Sequence, residues 1–176
     1  HVVAASDELA GEPILGEVIQ RAHQALGVQN GVTHAEVRLT PGGPRMIELG
    51  ARPGGDLIPF LVELSLGSSL SSALAEVALG KPWEPLPSGR RSSAVHFVYP
   101  DHSGLVGEPR FRPELLPEEV EVVEQTWFAN PGDEVKLPPE GFITRVGALV
   151  ISSDDRSALR RAMDDIAHVI SVEIVR

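Results

Sequence analysis

Apolar residues recur at helical spacing at Leu15, Val18, Ile19, Ala22 and Leu26, with Gly27 placed to end the run, and this predicts a helix with a buried face over 10–26. Residues 32–39 and 45–51 instead alternate polar and apolar on either side of Pro41-Gly42-Gly43, which predicts an antiparallel hairpin. Asp56 follows two glycines and is placed to cap a helix reaching Leu66, because its carboxylate can accept a free first-turn N–H. Ser68 or Ser69 then opens a helix through Leu70, Leu74, Val77 and Ala78 to Gly80. Residues 81–89 are proline-rich and read as a connector. Beyond them, 92–99, 120–127 and 142–152 are strand-like, 154–169 places Leu159, Ala162, Met163, Ile166 and Ile170 on one helical face, and 172–175 completes a last strand. The pattern divides the chain into an α/β subdomain over 1–80, a connector over 81–91 and a smaller α+β subdomain over 92–176.

The first hairpin carries the chemistry. With a loop of three or five residues centred on Gly42, opposed residues have numbers summing to 84, so Glu36 faces Glu48, His34 faces Gly50 and Arg38 faces Met46. Period-two alternation then puts His34, Glu36, Arg38, Glu48 and Arg52 on one face, and Ala35, Val37, Leu39, Ile47, Leu49 and Ala51 on the other. A loop of two or four residues would send the glutamates to opposite faces. Opposed carboxylates repel unless a positive group joins them, and a divalent cation is one remedy. Magnesium takes one or two protein carboxylates and fills its remaining positions with water and phosphate oxygens. Arg52 offers a planar fork for phosphate or carboxylate, and Gly54-Gly55, leading into a helix, offers bare amides for an anion. Cation, guanidinium and amides on one rim suit phosphoryl transfer, which depends mainly on positioning and charge neutralisation. A solvated sheet face with Arg38 and Arg52 pairing the acids is the plain alternative.

Composition narrows the field. The chain has 176 residues, 42% of them apolar, enough for a folded core. The longest apolar run, near 57–66, is broken by Glu63, so no segment is expected to span a membrane. With 15 basic and 25 acidic residues the net charge of −10 disfavours nucleic acid and anionic lipid as partners. Cysteine is absent, which excludes disulfides, thiolate metal sites and thiol nucleophiles and fits a reducing compartment, with cytoplasm as the expectation. The chain opens at His1 without an initiator methionine or a secretory signal and reads as a piece of a longer one. Asp101-His102-Ser103 has the residue types of a hydrolase triad but packs them consecutively, whereas triad members converge through the fold. His23 reads as an exposed histidine, His96 as a surface or packing one, and Trp127-Phe128 as packing.

The run from Gly31 through His34 and Glu36, followed by Met46-Ile-Glu48-Leu-Gly-Ala-Arg52-Pro-Gly-Gly-Asp56, resembles the metal-binding end of ATP-grasp carboxylate–amine ligases. The likeness is nearest to amino-acid ligases that make dipeptides, often described as biotin carboxylase-like. It extends to the 92–99 strand and to the turns at Ser103-Gly104 and Pro131-Gly132-Asp133. The resemblance implies the C-terminal part of an ATP-grasp fold, mainly antiparallel sheet with packed helices. It implies Mg²⁺ or Mn²⁺ held by Glu36 and Glu48 with ATP as cosubstrate, Arg52 as catalytic residue, and Gly54, Gly55 and His1 at the substrate. His34 would orient a glutamate. The reaction implied is activation of a carboxylate, such as an amino acid, as an acyl phosphate that an amine attacks. Gly50 stands where many members have a metal-binding asparagine. Lys81 and Lys136 are the only lysines and neither lies in a glycine-rich phosphate loop, so the nucleotide lid is expected upstream, in a missing N-terminal part of the same polypeptide, and the isolated chain is expected to be inactive. A biotin-carboxylase-like or purine-pathway enzyme and a non-catalytic assembly module are the alternatives. A homodimer is left open.

Overall fold

The computed structural model describes residues 1–5, 7–84, 89 and 91–175. The chain divides into two units, Val3–Arg90 and His1–Val2 with Arg91–Arg176, each taken here by itself. The architecture is mixed α/β with antiparallel sheets, in agreement with the sequence pattern.

In the unit Val3–Arg90, strand β1 (Val2–Ala4) leads through a 3-10 turn at Glu8–Gly11 to helix α1 (Pro13–Ala25). Pro13 stands at a helix start, where its missing N–H costs nothing, and Gly27, with φ of 68°, turns the chain out of the helix. The expected buried face is not realised. The helix packs on β3 (Gly43–Gly50) of a two-stranded sheet with β2 (His34–Thr40) and fully buries no side chain, leaving Ile14 at 52% and Leu26 at 65% exposure. A single ladder has too little surface to cover a helix face. The apolar side of the hairpin is likewise open, with Leu39 and Ile47 exposed. Helices α2 (Ile58–Leu66) and α3 (Leu70–Ala78) meet at a 102° bend, where Gly67 takes a left-handed backbone and the Ser69 hydroxyl accepts from the Ser72 N–H. The cap expected at Asp56 is corrected. The residue preceding α2 is Leu57, in the left-handed region without a side-chain cap, and Ile58 N–H instead donates to the Gly55 carbonyl at 2.9 Å.

The hairpin register combines two departures that cancel. Thr40 pairs with Gly43, so the loop has two residues, Pro41 and Gly42, rather than three or five. Pairing continues through Leu39 with Pro44, Arg38 with Arg45 and Val37 with Met46. A bulge then inserts Ile47, and Glu36 pairs with Glu48, Ala35 with Leu49 and His34 with Gly50. The glutamates oppose each other as expected, but Arg38 faces Arg45 and not Met46.

In the other unit, His1–Val2 borders β4 (Ser92–Val98), and the sheet order is β1-β4-β8-β6. A second sheet has the order β7-β5-β9. Its strands are β5 (Gly104–Phe111), β7 (Glu134–Val135) and β9 (Ile170–Val175), while β6 (Glu121–Trp127) and β8 (Gly147–Ser153) belong to the first. Leu149 and Ile151 of β8 form a core with Leu159 and Ala162 of α4 (Arg156–Asp164), Ile166 of α5 (Ile166–Val169) and Ile170. The expected single helix over 154–169 breaks at Asp165 while keeping its apolar face. The strand expected from 142 begins at Gly147, because Phe142 and Ile143 lie 87% and 72% exposed outside the sheet. β6 is an edge strand bulged near Val123, and its Glu121 pairs with Arg91 at 2.8 Å while Arg91 also meets Asp154 at 3.3 Å.

The Asp155 carboxylate caps α4, accepting from Ser157 N–H at 2.8 Å and Ala158 N–H at 3.2 Å. Asp155→Ala is expected to cost about 1 kcal/mol in chemical denaturation. An unchanged midpoint would show that the cap contributes nothing.

Candidate functional site

Strands β2 and β3 place Glu36 and Glu48 opposite each other, with side chains 52% and 53% exposed. Each carboxylate has a nitrogen partner. His34 Nε2 lies 3.2 Å from Glu36 Oε1, and Arg52 Nη2 lies 3.6 Å from Glu48 Oε1. Arg52 also donates from Nη1 to the Pro53 carbonyl at 3.1 Å, which holds its guanidinium over the strand end. These contacts offset the repulsion of the opposed acids, and the Arg52 pair is the one a solvated face would also make. A Cβ at Gly50 would lie 3.5 Å from Arg52 Cγ and 3.7 Å from Glu48 Oε1, ordinary contact distances, so the arginine stem and the carboxylate border this position without excluding a Cβ.

Past the strand, Gly54 and Gly55 lead to two consecutive left-handed residues, Asp56 at φ of 54° and Leu57 at 61°. Non-glycine residues hold that conformation at a cost of about 1–3 kcal/mol each. A cavity of about 380 Å³ beside them is lined by the two glycines, Asp56, Leu57, Phe60 and Glu63. A larger groove of about 760 Å³, between the 29–32 loop, α3 and Trp83, touches neither glutamate. The larger groove and the candidate chemistry therefore fall in different places, and the opposed carboxylates are the more informative feature because cations need charged oxygens.

The donor set fits a magnesium-type ion of limited protein coordination. Among the described residues no group of three or more His, Asp or Glu converges on one point. Two hard carboxylate oxygens on one open face suit an ion that takes phosphate and water for its other positions.

The structure thus brings Glu36, Glu48, His34, Arg52 and Gly54 together within one unit, with Gly55 adjoining. His1 belongs to the other unit, where its terminal ammonium donates to the Val95 carbonyl at 3.0 Å and its ring stands edge-on to Phe97, 6.4 Å between centroids. Arg45, unmarked in the sequence reading, joins the polar face because the bulge shifts its register. His23 is not simply exposed: Nε2 lies 2.8 Å from the Thr33 hydroxyl, tying the end of α1 to the residue before β2. His102 Nδ1 pairs with Asp101 at 2.7 Å, but the Ser103 hydroxyl accepts from Leu137 N–H, so the consecutive trio forms no relay. Burial holds the His96 imidazole below its ordinary value. Arg145 stacks 4.0 Å from the Phe97 ring centroid and donates from Nε to the Tyr99 hydroxyl at 2.9 Å.

No family model matches the chain. Dapdiamide A synthase of Enterobacter agglomerans is 28% identical over 169 residues, which are 91% of this chain and 39% of that protein. An L-amino acid ligase structure from Bacillus licheniformis superposes with a TM-score of 0.75 at 20% identity, covering 99% of this chain and 45% of that one. Phosphoribosylglycinamide synthetase from Anaerococcus prevotii gives 0.62 at 19% identity, covering 99% and 45%. The chain therefore spans less than half the length of each of these proteins. Among the described residues no single helix is long and apolar enough to cross a membrane.

Proposed function

From the fold of the C-terminal part of ATP-grasp enzymes, which this chain has, we propose that it supplies the cation-holding half of a carboxylate–amine ligase site. The observation that carries the reading is the direct opposition of Glu36 and Glu48 on an open face beside Arg52 and the Gly54-Gly55 loop. Glu36 and Glu48 would hold Mg²⁺ or Mn²⁺, which when bound supplies charge neutralisation for the phosphates of ATP. Arg52 would meet the transferring phosphoryl group through its fork. The Gly54 and Gly55 amides would hold the substrate carboxylate, and His34 would orient Glu36.

An amino acid is the favoured carboxylate. The relative that matches over 91% of the chain is a dapdiamide synthase, and the L-amino acid ligase superposes better than the phosphoribosylglycinamide synthetase. The substrate carboxylate would be activated as an acyl phosphate, with ADP leaving, and then attacked by an amine with release of phosphate. The 176-residue chain is expected to release no ADP above background with amino acids, Mg²⁺ and ATP, whereas the longer polypeptide that contains it does so in an amino-acid-dependent way. Turnover by the chain alone, or amino-acid-independent turnover by the longer protein, would overturn the reading.

A further inference from the structure

The two glycines of the loop have different surroundings. A Cβ on Gly55 would meet nothing within 4 Å, whereas one on Gly54 would lie 3.0 Å from His34 Nδ1, 3.3 Å from Ile58 Cβ and 3.4 Å from Ile58 Cδ1. If glycine were needed at both positions only so that a ligand could approach the backbone, both would face open space. Gly54 instead faces the imidazole. The other nitrogen of the same ring lies 3.2 Å from Glu36 Oε1. The ring is also the enclosed member of the cluster, 20% exposed, against 52%, 53% and 57% for Glu36, Glu48 and Arg52.

We propose that His34 is a positioning residue that spaces the carboxylate hairpin from the Gly54-Gly55 loop, and that position 54 is glycine to admit its ring. The proposal rests on the ligase reading for its purpose, since it joins the cation half of that site to the carboxylate half. Its geometry is independent of that reading. Imidazole is rigid, so its two nitrogens keep a fixed separation. A methyl at position 54 pushes one edge of the ring, and the opposite edge carries the displacement to the Glu36 carboxylate. The loop and the metal carboxylate then move together. Partners that orient metal ligands typically set affinity by about 10–100-fold, and that is the effect expected here.

The test is a cycle of wild type, Gly54→Ala, His34→Ala and the double variant, read by thermal unfolding and by Mn²⁺ binding in electron paramagnetic resonance. Gly54→Ala is expected to lower Tm by about 3–5 °C. Most of that loss disappears when Gly54→Ala is made in the His34→Ala background, because the ring is no longer there to be displaced. Mn²⁺ affinity falls about 10-fold in each single variant and no further in the double, and His34→Gln, which can present an amide N–H to Glu36, recovers part of it. Gly55→Ala leaves both readouts unchanged. Additive losses of Tm in the double variant, or a Gly54→Ala protein as stable as wild type, would overturn the proposal. Absence of Mn²⁺ binding in the wild type would overturn the cation reading instead, with the thermal cycle still deciding whether His34 spaces the loop.

Discussion

If the proposed ligase reading holds, Glu48→Gln in a full-length ligase that contains this chain is expected to lower amino-acid-dependent ADP release by at least about 100-fold, since loss of a partner one shell further out already costs about 10–100-fold at metal sites. The amide keeps the size of the side chain but removes the charge of one of the two carboxylates proposed to hold the cation. Folding is expected to be little affected. The substitution relieves repulsion from Glu36 and gives up the 3.6 Å contact with Arg52, and both groups are more than half exposed, so each effect is small. A coupled ADP assay beside a melting curve separates the two. A variant that turns over near the wild-type rate would show that the opposed acids are only a hydrated sheet face.

Arg52→Lys retains the charge and loses the fork. The guanidinium is anchored by Nη1 to the Pro53 carbonyl and lies near Glu48 through Nη2, a geometry that fixes its plane above the strand end. An ammonium on a flexible stem reproduces neither the plane nor the paired donors. If Arg52 meets the transferring phosphoryl group, kcat falls by about 10²–10³-fold, the cost of losing a preorganised donor to developing charge, while the KM for ATP changes little. Retention of activity within about threefold would mean that any positive charge suffices there and that the fork has no role.

Legibility in the sequence varied with the kind of signal. Alternation in β2 and β3 found the opposed glutamates but missed Arg45 on the polar face, and the helical spacing of Leu159, Ala162 and Ile166 found the core of the other unit. Strand β5 was not among the expected strands, and its Gly107 and Pro109 are residue types depleted in strands. In the structure a bulge lies between Val106 and Pro109, where a missing N–H is tolerated, and a Cβ at Gly107 would come 2.9 Å from the Glu173 carbonyl of β9. The missing side chain at Gly107 is what lets the two strands lie close. Asp56 failed as a cap because the chain spends two left-handed residues turning into α2, a choice no local pattern announces. Residue type and register marked Glu36, Glu48 and Arg52 as candidates, whereas the roles expected of them and of Gly55 came from the resemblance to ATP-grasp ligases. The part of Gly54 needed coordinates, since only they place the imidazole against it.

The short turn and the extra residue at Ile47 have a consequence for how this protein can vary. A two-residue turn with one unpaired residue gives the same opposition of the acids as a three-residue turn with a regular ladder. Deleting Ile47 would remove the bulge and leave a regular ladder in which Met46 still pairs with Val37 and Glu48 with Glu36, so both acids would stay on one face. Relatives that preserve the acids are therefore free to exchange a tight turn with a bulge for a longer turn without one. What the hairpin holds fixed is the pairing of Glu36 with Glu48, while the length of chain between them is free to change wherever the turn or a bulge takes up the difference.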